Sequence, residues 1–291
     1  EIPLRLVGSE MCIRDRDEGV LYMSKISIIG AGSIGATTAF ALLQKEVARE
    51  IVINDINQEK ALGEVLDLMH GSSLNSPCNV TLGALEDTKD SDIIIITAGV
   101  AQKPGETRLD LVDKNYKIFK SFVPTIAKLS PNAILLVVSN PVDILAYMTY
   151  KLSGFPKERV IGSGTVLDTT RLRSLLGKYF GIDGRIVQGY VLGEHGDSEF
   201  VPWSSLTIGN IPIKDFSEQL KIEWDEATEK VIADDVKNAA YEVINRKGAT
   251  AFSVAAVLTR IVEAFLKDEK TVLSVCLLYT SDAADDLLCV D

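Results

Sequence analysis

Histidine and cysteine are scarce in this chain of 291 residues, which holds two His and four Cys. Cys12, Cys78, Cys276 and Cys289 are too few and too scattered for a disulfide framework, and no CxxC or HxxxH spacing marks a zinc site. No metal is expected, and a reducing cytoplasm is the expected location. Long apolar runs are also missing. Stretches such as residues 93–96 and 133–138 fall far short of the roughly 20 residues that a bilayer span needs. Residues 1–22 carry Glu1, Glu10, Asp15, Asp17 and Glu18 and no continuous apolar core, unlike a secretory signal. Basic charge is in deficit, with 30 Lys and Arg against 41 Asp and Glu and a net charge of −11. Such a surface repels phosphate backbones and anionic lipid, so neither nucleic acid nor membrane is an expected partner. What remains, 46% hydrophobic and 24% charged residues, is the composition of a soluble globular protein long enough for two domains.

The two ends are related in a way that folding does not explain. Met11-Cys12-Ile13-Arg14-Asp15-Arg16 can be written in codons whose reverse complement, in another frame, encodes Cys276-Leu277-Leu278-Tyr279-Thr280. These segments resemble translated transposase adapter, so residues 1–16 and 276–291 are left out of the expected fold, with Met23 as the expected natural start.

Between the ends, residues 25–30 (KISIIG) form a short apolar, β-branched run. It passes through Gly30-Ala31-Gly32-Ser33-Ile34-Gly35 into a helical stretch at 36–43. A second strand at 50–54 ends at Asp55, and a helix carrying Leu62, Val65, Leu66 and Met69 follows. Residues 80–82 make a short strand. The runs at 92–97 (DIIIIT) and 133–139 (AILLVVS) do not alternate, as expected for strands covered on both faces of a parallel sheet. The expectation is an α/β Rossmann domain, a doubly wound parallel sheet, at 23–163. An α+β substrate domain follows at 164–275, with short strands at 186–192 and 205–208 and helices at 224–246 and 250–265.

The glycine motif sits between a strand and a helix, which is the context it needs. Gly30 permits the tight turn, Gly32 lets the backbone approach a pyrophosphate, and Gly35 lets helix pack on strand. Asp55, about 20 residues on, can accept hydrogen bonds from ribose hydroxyls and repel a 2′-phosphate, which favours NAD over NADP. The plainer alternative is that the glycines make only a turn and Asp55 caps the next helix. Of the two histidines, His195 follows a strand end within Gly193-Glu194-His195-Gly196-Asp197, where a side chain can face a cleft and act as a general acid/base. Asp168 and Arg171 stand three residues apart, on the face of a helix expected to begin near Thr169. They can orient an imidazole and grip a carboxylate, or form only an exposed salt bridge. His70 reads as a helix C-terminal residue.

Residues 23–275 resemble the L-lactate dehydrogenases of the lactate/malate dehydrogenase superfamily. The resemblance is carried by the glycine motif and by Ala98-Gly99-Val100-Ala101-Gln102-Lys103-Pro104-Gly105-Glu106-Thr107-Arg108. Three further motifs follow in the family's order: Val138-Ser139-Asn140-Pro141-Val142-Asp143, Gly164-Thr165-Val166-Leu167-Asp168-Thr169-Thr170-Arg171 and the His195 segment. The resemblance implies reversible hydride transfer between NADH and pyruvate with His195 as proton donor and acceptor and Asp168 as its orienting partner. Arg171 would hold the substrate carboxylate, and Arg108 would polarise the carbonyl from a closing loop. Ser33, Ile34, Thr97, Ala98, Gly99 and Asn140 would line the cofactor, with Asn140 and Thr250 also at the substrate. Gln102 stands where malate enzymes carry Arg, which implies pyruvate over oxaloacetate. A malate or branched 2-hydroxy-acid dehydrogenase is the nearest alternative. The resemblance also implies a homotetramer, and a second domain whose last part is replaced here, which leaves open a chain that binds NAD without turnover. Arg173 matches one of two cationic contacts that bind fructose 1,6-bisphosphate in bacterial members. Gln188 stands in place of the second, a His, so strong activation is not expected.

Overall fold

The computed structural model describes residues 24–72, 74, 77–100 and 108–278, apart from the side chains of 108 and 109. Strands β1 (Lys25–Ile29), β2 (Glu50–Asn54), β3 (Asn79–Leu82), β4 (Ile93–Ile96), β5 (Ile134–Val137) and β6 (Val160–Gly162) form a parallel sheet. Their spatial order is β6-β5-β4-β1-β2-β3, so the chain reverses its direction of travel across the sheet between β1 and β4. The helices between them are α1 (Ser33–Gln44), α2 (Gln58–Ser72), α3 (Arg108–Leu129) and α4 (Val142–Ser153). The run of four isoleucines in β4 has no polar alternation because both of its faces are covered. Ile93 and Ile95 pack with β1, β2, α1 and α2, while Ile94 and Ile96 pack with Phe119, Val123 and Ile126 of α3 and Leu145 of α4. All four are buried, each contributing about 2 kcal/mol by leaving water.

The α2 periodicity is correct, but its inward face is not the expected one. Ala61, Val65 and Leu68 are buried, whereas Leu62, Leu66 and Met69 lie exposed along the other side. A small residue at 61 allows the helix to sit close to the sheet, and the larger apolar side chains are turned outward. His70 lies in the last turn of α2, as expected.

The second part of the chain contains α5 (Val166–Phe180), β7 (Val187–Gln188), β8 (Thr207–Ile208), β9 (Ile211–Pro212), α6 (Ile213–Leu220), α7 (Glu226–Lys247) and α8 (Phe252–Leu266). The three strands make an antiparallel meander, packed on Leu172, Leu176 and Phe180 of α5 and Ile232 and Val236 of α7. Trp224 stacks on Phe180 at 5.4 Å and closes this core beside Trp203 and Phe216. The strands are shorter than the sequence indicates. Of residues 186–192 only Val187 and Gln188 are paired in the meander; Leu192 instead bridges Phe200. A 3-10 turn at Trp203–Ser205 takes the start of the segment expected at 205–208. Asp225 caps α7 through the Thr228 amide, and Gly248 ends it at φ +84°.

Two other findings differ from expectation. The apolar face of α8 (Val254, Val257, Leu258, Ile261, Val262) joins the core of the nucleotide-type sheet, packed on α1 and not on the meander. Helical spacing fixes which face is apolar but not what it meets. Residues 276–291 were left out of the expected fold, yet β10 (Cys276–Leu277) pairs antiparallel with β6. Main-chain pairing at an open sheet edge requires extended backbone and little of the side chains, so this pairing is compatible with any origin of that sequence. Among the described residues no helix is long and apolar enough to cross a membrane.

Candidate active site

The carboxyl ends of β1, β2 and β4 form a cleft where the strand order reverses, the usual position of a ligand in an open α/β sheet. Gly30 turns out of β1 with φ +111°, and a Cβ there would lie 2.7 Å from the Ala98 amide nitrogen. A Cβ on Gly35 would run into the Gly30 carbonyl, so α1 can start this close only with glycine at both sites. Gly32 is the N-cap of α1, makes no side-chain cap, and has open space where its Cβ would point. The first-turn N–H groups, including those of Ser33 and Ile34, are thus left for an anion.

Asp55 accepts from the Ala31 amide at 2.6 Å and from the Asn57 amide at 2.8 Å. It therefore braces the glycine turn, while Asn57 caps α2 by accepting from the Lys60 amide at 3.1 Å. The simple capping alternative for Asp55 does not hold. Each carboxylate oxygen retains a lone pair for a ribose hydroxyl. On the β4 side, the Thr97 hydroxyl donates to the Gly30 carbonyl at 3.0 Å, and the Ala98 carbonyl accepts from the Ser139 hydroxyl at 2.6 Å. Beyond Gly99, the Val100 amide donates to Asn115 Oδ1 at 2.8 Å, and Asn115 Nδ2 donates to the Asn140 carbonyl at 2.9 Å. Asn115 is fully buried and ties the ends of β4 and β5 together. An uncapped helix start, an acidic residue at the β2 end and a small-residue β4 end fit a dinucleotide with unphosphorylated ribose.

The second group of residues lies past the carboxyl ends of β5 and β6, on the same side of the sheet. Helix α5 begins at Val166, three residues before the expected start, so Asp168 falls in its first turn with Arg171 one turn on. Asp168 is 1% exposed. Its Oδ2 lies 2.6 Å from His195 Nδ1, and its Oδ1 accepts from the Arg171 guanidinium at 2.7 Å. The exposed salt bridge that the spacing also allowed is therefore a three-residue cluster in which Asp168 is buried and Arg171 and His195 are partly buried. The His195 loop is anchored on both sides. The Thr165 hydroxyl donates to the Val191 carbonyl at 2.5 Å, Thr169 Oγ1 accepts from the Val191 amide at 2.9 Å, and the His195 amide donates to Asp143 of α4 at 3.1 Å.

Burial alone would raise the Asp168 pKa, but the hydrogen bond and charge of His195, with Arg171, outweigh it and hold the carboxyl below its ordinary value. For His195 burial works against the proton. The Asp168 hydrogen bond and charge, helped by Glu199, outweigh this and raise the imidazole above its ordinary 6.5. With Nδ1 held by Asp168, Nε2 is the nitrogen left to exchange a proton with a bound molecule. The Arg171 guanidinium has five N–H donors in a planar fork and can serve Asp168 and a second carboxylate together.

Gln102 lies outside the described residues. Arg108 opens α3, and its side chain is likewise outside them. Thr250 lies between α7 and α8 with its hydroxyl 3.4 Å from that of Ser253, and is not among the hydrogen-bond partners of the His195 cluster. Arg173 donates to the Gly189 carbonyl and lies over the Tyr190 ring, while Gln188 accepts from the Thr207 hydroxyl. Sequence reading did not single out Asn115, Thr165, Asp143 or Glu199. Of these, Glu199 is the most consequential, since its carboxyl lies within 4.8 Å of the ligand atoms of Asp168 and His195. These three form the one group among the described residues with the composition and spacing to hold a metal ion, but both Asp168 oxygens already serve His195 and Arg171.

Residues 24–162 match the family description "lactate/malate dehydrogenase, NAD binding domain", and residues 165–287 match "lactate/malate dehydrogenase, alpha/beta C-terminal domain". The chain is 57% identical over 252 residues to an L-lactate dehydrogenase of Clostridium botulinum (strain Loch Maree / Type A3), covering 87% of this chain and 79% of that one. It is 57% identical over 256 residues to an L-lactate dehydrogenase of Clostridium perfringens (strain SM101 / Type A), covering 88% and 81%. Among solved structures, a ligand-bound minor L-lactate dehydrogenase from Enterococcus mundtii superposes with a TM-score of 0.85 at 45% identity, covering 89% of this chain and 82% of that one. With both family domains matched in order and relatives this similar over most of their length, the chain belongs to the lactate/malate dehydrogenase family.

Proposed function

We propose that the protein is an NAD-dependent oxidoreductase of the L-lactate dehydrogenase type, interconverting pyruvate and L-lactate. The observation that carries this reading is the Arg171–Asp168–His195 cluster about a buried Asp168, on the same side of the sheet as the dinucleotide cleft. NAD, when bound, supplies the hydride acceptor or donor. Arg171 fixes the substrate carboxylate by a two-point contact and so orients the carbonyl. His195, as imidazolium, gives its Nε2 proton to the carbonyl oxygen during reduction and takes it back during oxidation. Asp168 holds the ring and stabilises its charge. Arg108 polarises the carbonyl, with Asn140 and Thr250 as further substrate contacts. Asp55 and the Gly30, Gly32 and Gly35 turn hold the cofactor, with Thr97, Ala98 and Gly99 along the β4 side.

Gln102 sets the choice of 2-oxo acid in this reading. A neutral amide cannot pair the second carboxylate of oxaloacetate, and burying that charge uncompensated costs several kcal/mol. The kcat/KM for pyruvate is therefore expected to exceed that for oxaloacetate, and Gln102→Arg to reverse the order. Steady-state rates with both acids decide it: an order unchanged by the substitution would remove Gln102 as the determinant, and a wild type that prefers oxaloacetate would favour the malate enzyme instead. The reading includes a cytoplasmic location. It also includes a homotetramer, supported by the exposed Leu62, Leu66 and Met69 along one side of α2 and by Val231, Tyr241 and Ile244 on α7.

A further inference from the structure

Glu199 is 3% exposed, and its Oε1 is buried without a hydrogen-bond partner. Its carboxyl faces Asp168 and Arg171 on α5 and His195 on its own loop, all in one cluster. Helix α7 reaches the same loop through Lys237, whose ammonium donates to the Asp197 carbonyl. Two carboxyl groups with oxygens within 4.8 Å of one another cannot both ionise without strong repulsion in a site sheltered from water. Asp168 is the one held ionised, because His195 and Arg171 both donate to it. An ionised Glu199 would also leave a buried oxygen charged and unpaired.

We propose that Glu199 is a positioning residue that carries the cluster's second exchangeable proton, its neutral carboxyl donating a hydrogen bond to Asp168. In agreement, burial and then the Asp168 charge push the Glu199 carboxyl up to about 7. A carboxylate has room for this third donor beside the imidazole and guanidinium. With Glu199 neutral, Asp168 ionised, and Arg171 and His195 protonated, the cluster carries one net positive charge, which matches a monocarboxylate substrate. When Glu199 ionises, the net charge falls to zero. The substrate carboxylate is then held less tightly, and His195 keeps its proton to a higher pH. Glu199 thus couples substrate affinity to pH separately from the imidazole itself. The effect on substrate rests on the dehydrogenase reading above, whereas the proton on Glu199 rests on geometry alone.

The chain contains only two histidines, His195 and the exposed His70 of α2, so histidine ring NMR reports His195 beside one other signal. The wild-type protein is expected to show a His195 titration in two steps, the first as Glu199 ionises. Glu199→Gln retains a donor towards Asp168 but cannot ionise, so it should give a single step with a midpoint about one pH unit lower. Where turnover is measured, the pyruvate KM should rise in two steps with pH in the wild type, following Glu199 and then His195, and in one step in the variant, together with its His195 titration. Superimposable His195 curves in the two proteins would overturn the proposal. So would a one-step wild-type curve, which decides the matter even if the variant fails to fold. The NMR result is independent of whether pyruvate is the substrate, so failure of the functional reading and failure of this proposal remain distinguishable.

Discussion

Replacing His195 by Gln is expected to lower kcat for pyruvate reduction by about 1,000-fold, within the range for loss of a positioned general acid. The expectation follows from the short contact between Nδ1 and Asp168, which holds the ring so that Nε2 exchanges the proton. Glutamine can still donate to Asp168, so the buried carboxylate keeps a partner and the fold should survive. The dinucleotide cleft is built by Gly30, Gly32, Asp55 and Thr97, none of which is a hydrogen-bond partner of His195. NADH affinity, measured by fluorescence titration, should therefore stay within a few-fold of wild type. Loss of NADH binding together with kcat would mean that the substitution disrupts the domain and would remove the assignment of the proton to His195.

Arg171→Lys is the second large effect, an expected fall of about 100-fold or more in kcat/KM for pyruvate. The guanidinium already spends one N–H on Asp168 at 2.7 Å, and its planar fork leaves others for the substrate carboxylate. A lysine ammonium concentrates its charge at one point. Where it satisfies Asp168 it cannot also present two parallel bonds to a second carboxylate, and where it serves the substrate it leaves Asp168 short of a donor. The loss should appear mainly in KM, because the contact is made before and during reaction, with a smaller loss in kcat from looser orientation. Saturation curves on the two proteins test this. An unchanged KM would place the substrate carboxylate elsewhere.

The parts of the site legible in the sequence are those whose signal is local. Gly30, Gly32 and Gly35 fall within one strand-turn-helix, and the isoleucines of β4 state by their lack of alternation that both faces are covered. Asp168 and Arg171 reveal their shared face through a three-residue spacing. The contact that joins them to His195 crosses 27 residues, and no residue pattern announces it; the family resemblance supplied that link. Glu199 escaped because a Glu in a Gly- and Asp-containing loop reads as solvated. Its burial is imposed by the Leu192–Phe200 bridge, which folds the loop back against α5. Asn115 escaped for a similar reason, as one polar residue within a long charged helix, buried only because β4 and β5 end beside it. Helix α8 shows the same limit at the level of packing, since its apolar face was plain and its partner was not.

The most direct test of the central claim is the initial rate of NADH oxidation with pyruvate across pH, with the product identified by its stereochemistry. Raising the His195 pKa above 6.5 keeps the imidazolium present to higher pH than for an ordinary imidazole, so reduction should fall only as pH rises through the raised value. Oxidation of L-lactate needs the neutral ring and should rise over the same interval. The account predicts one L-lactate formed per NADH consumed, with these opposed profiles. NADH binding without pyruvate turnover, or turnover in both directions with no such pH dependence, would contradict it.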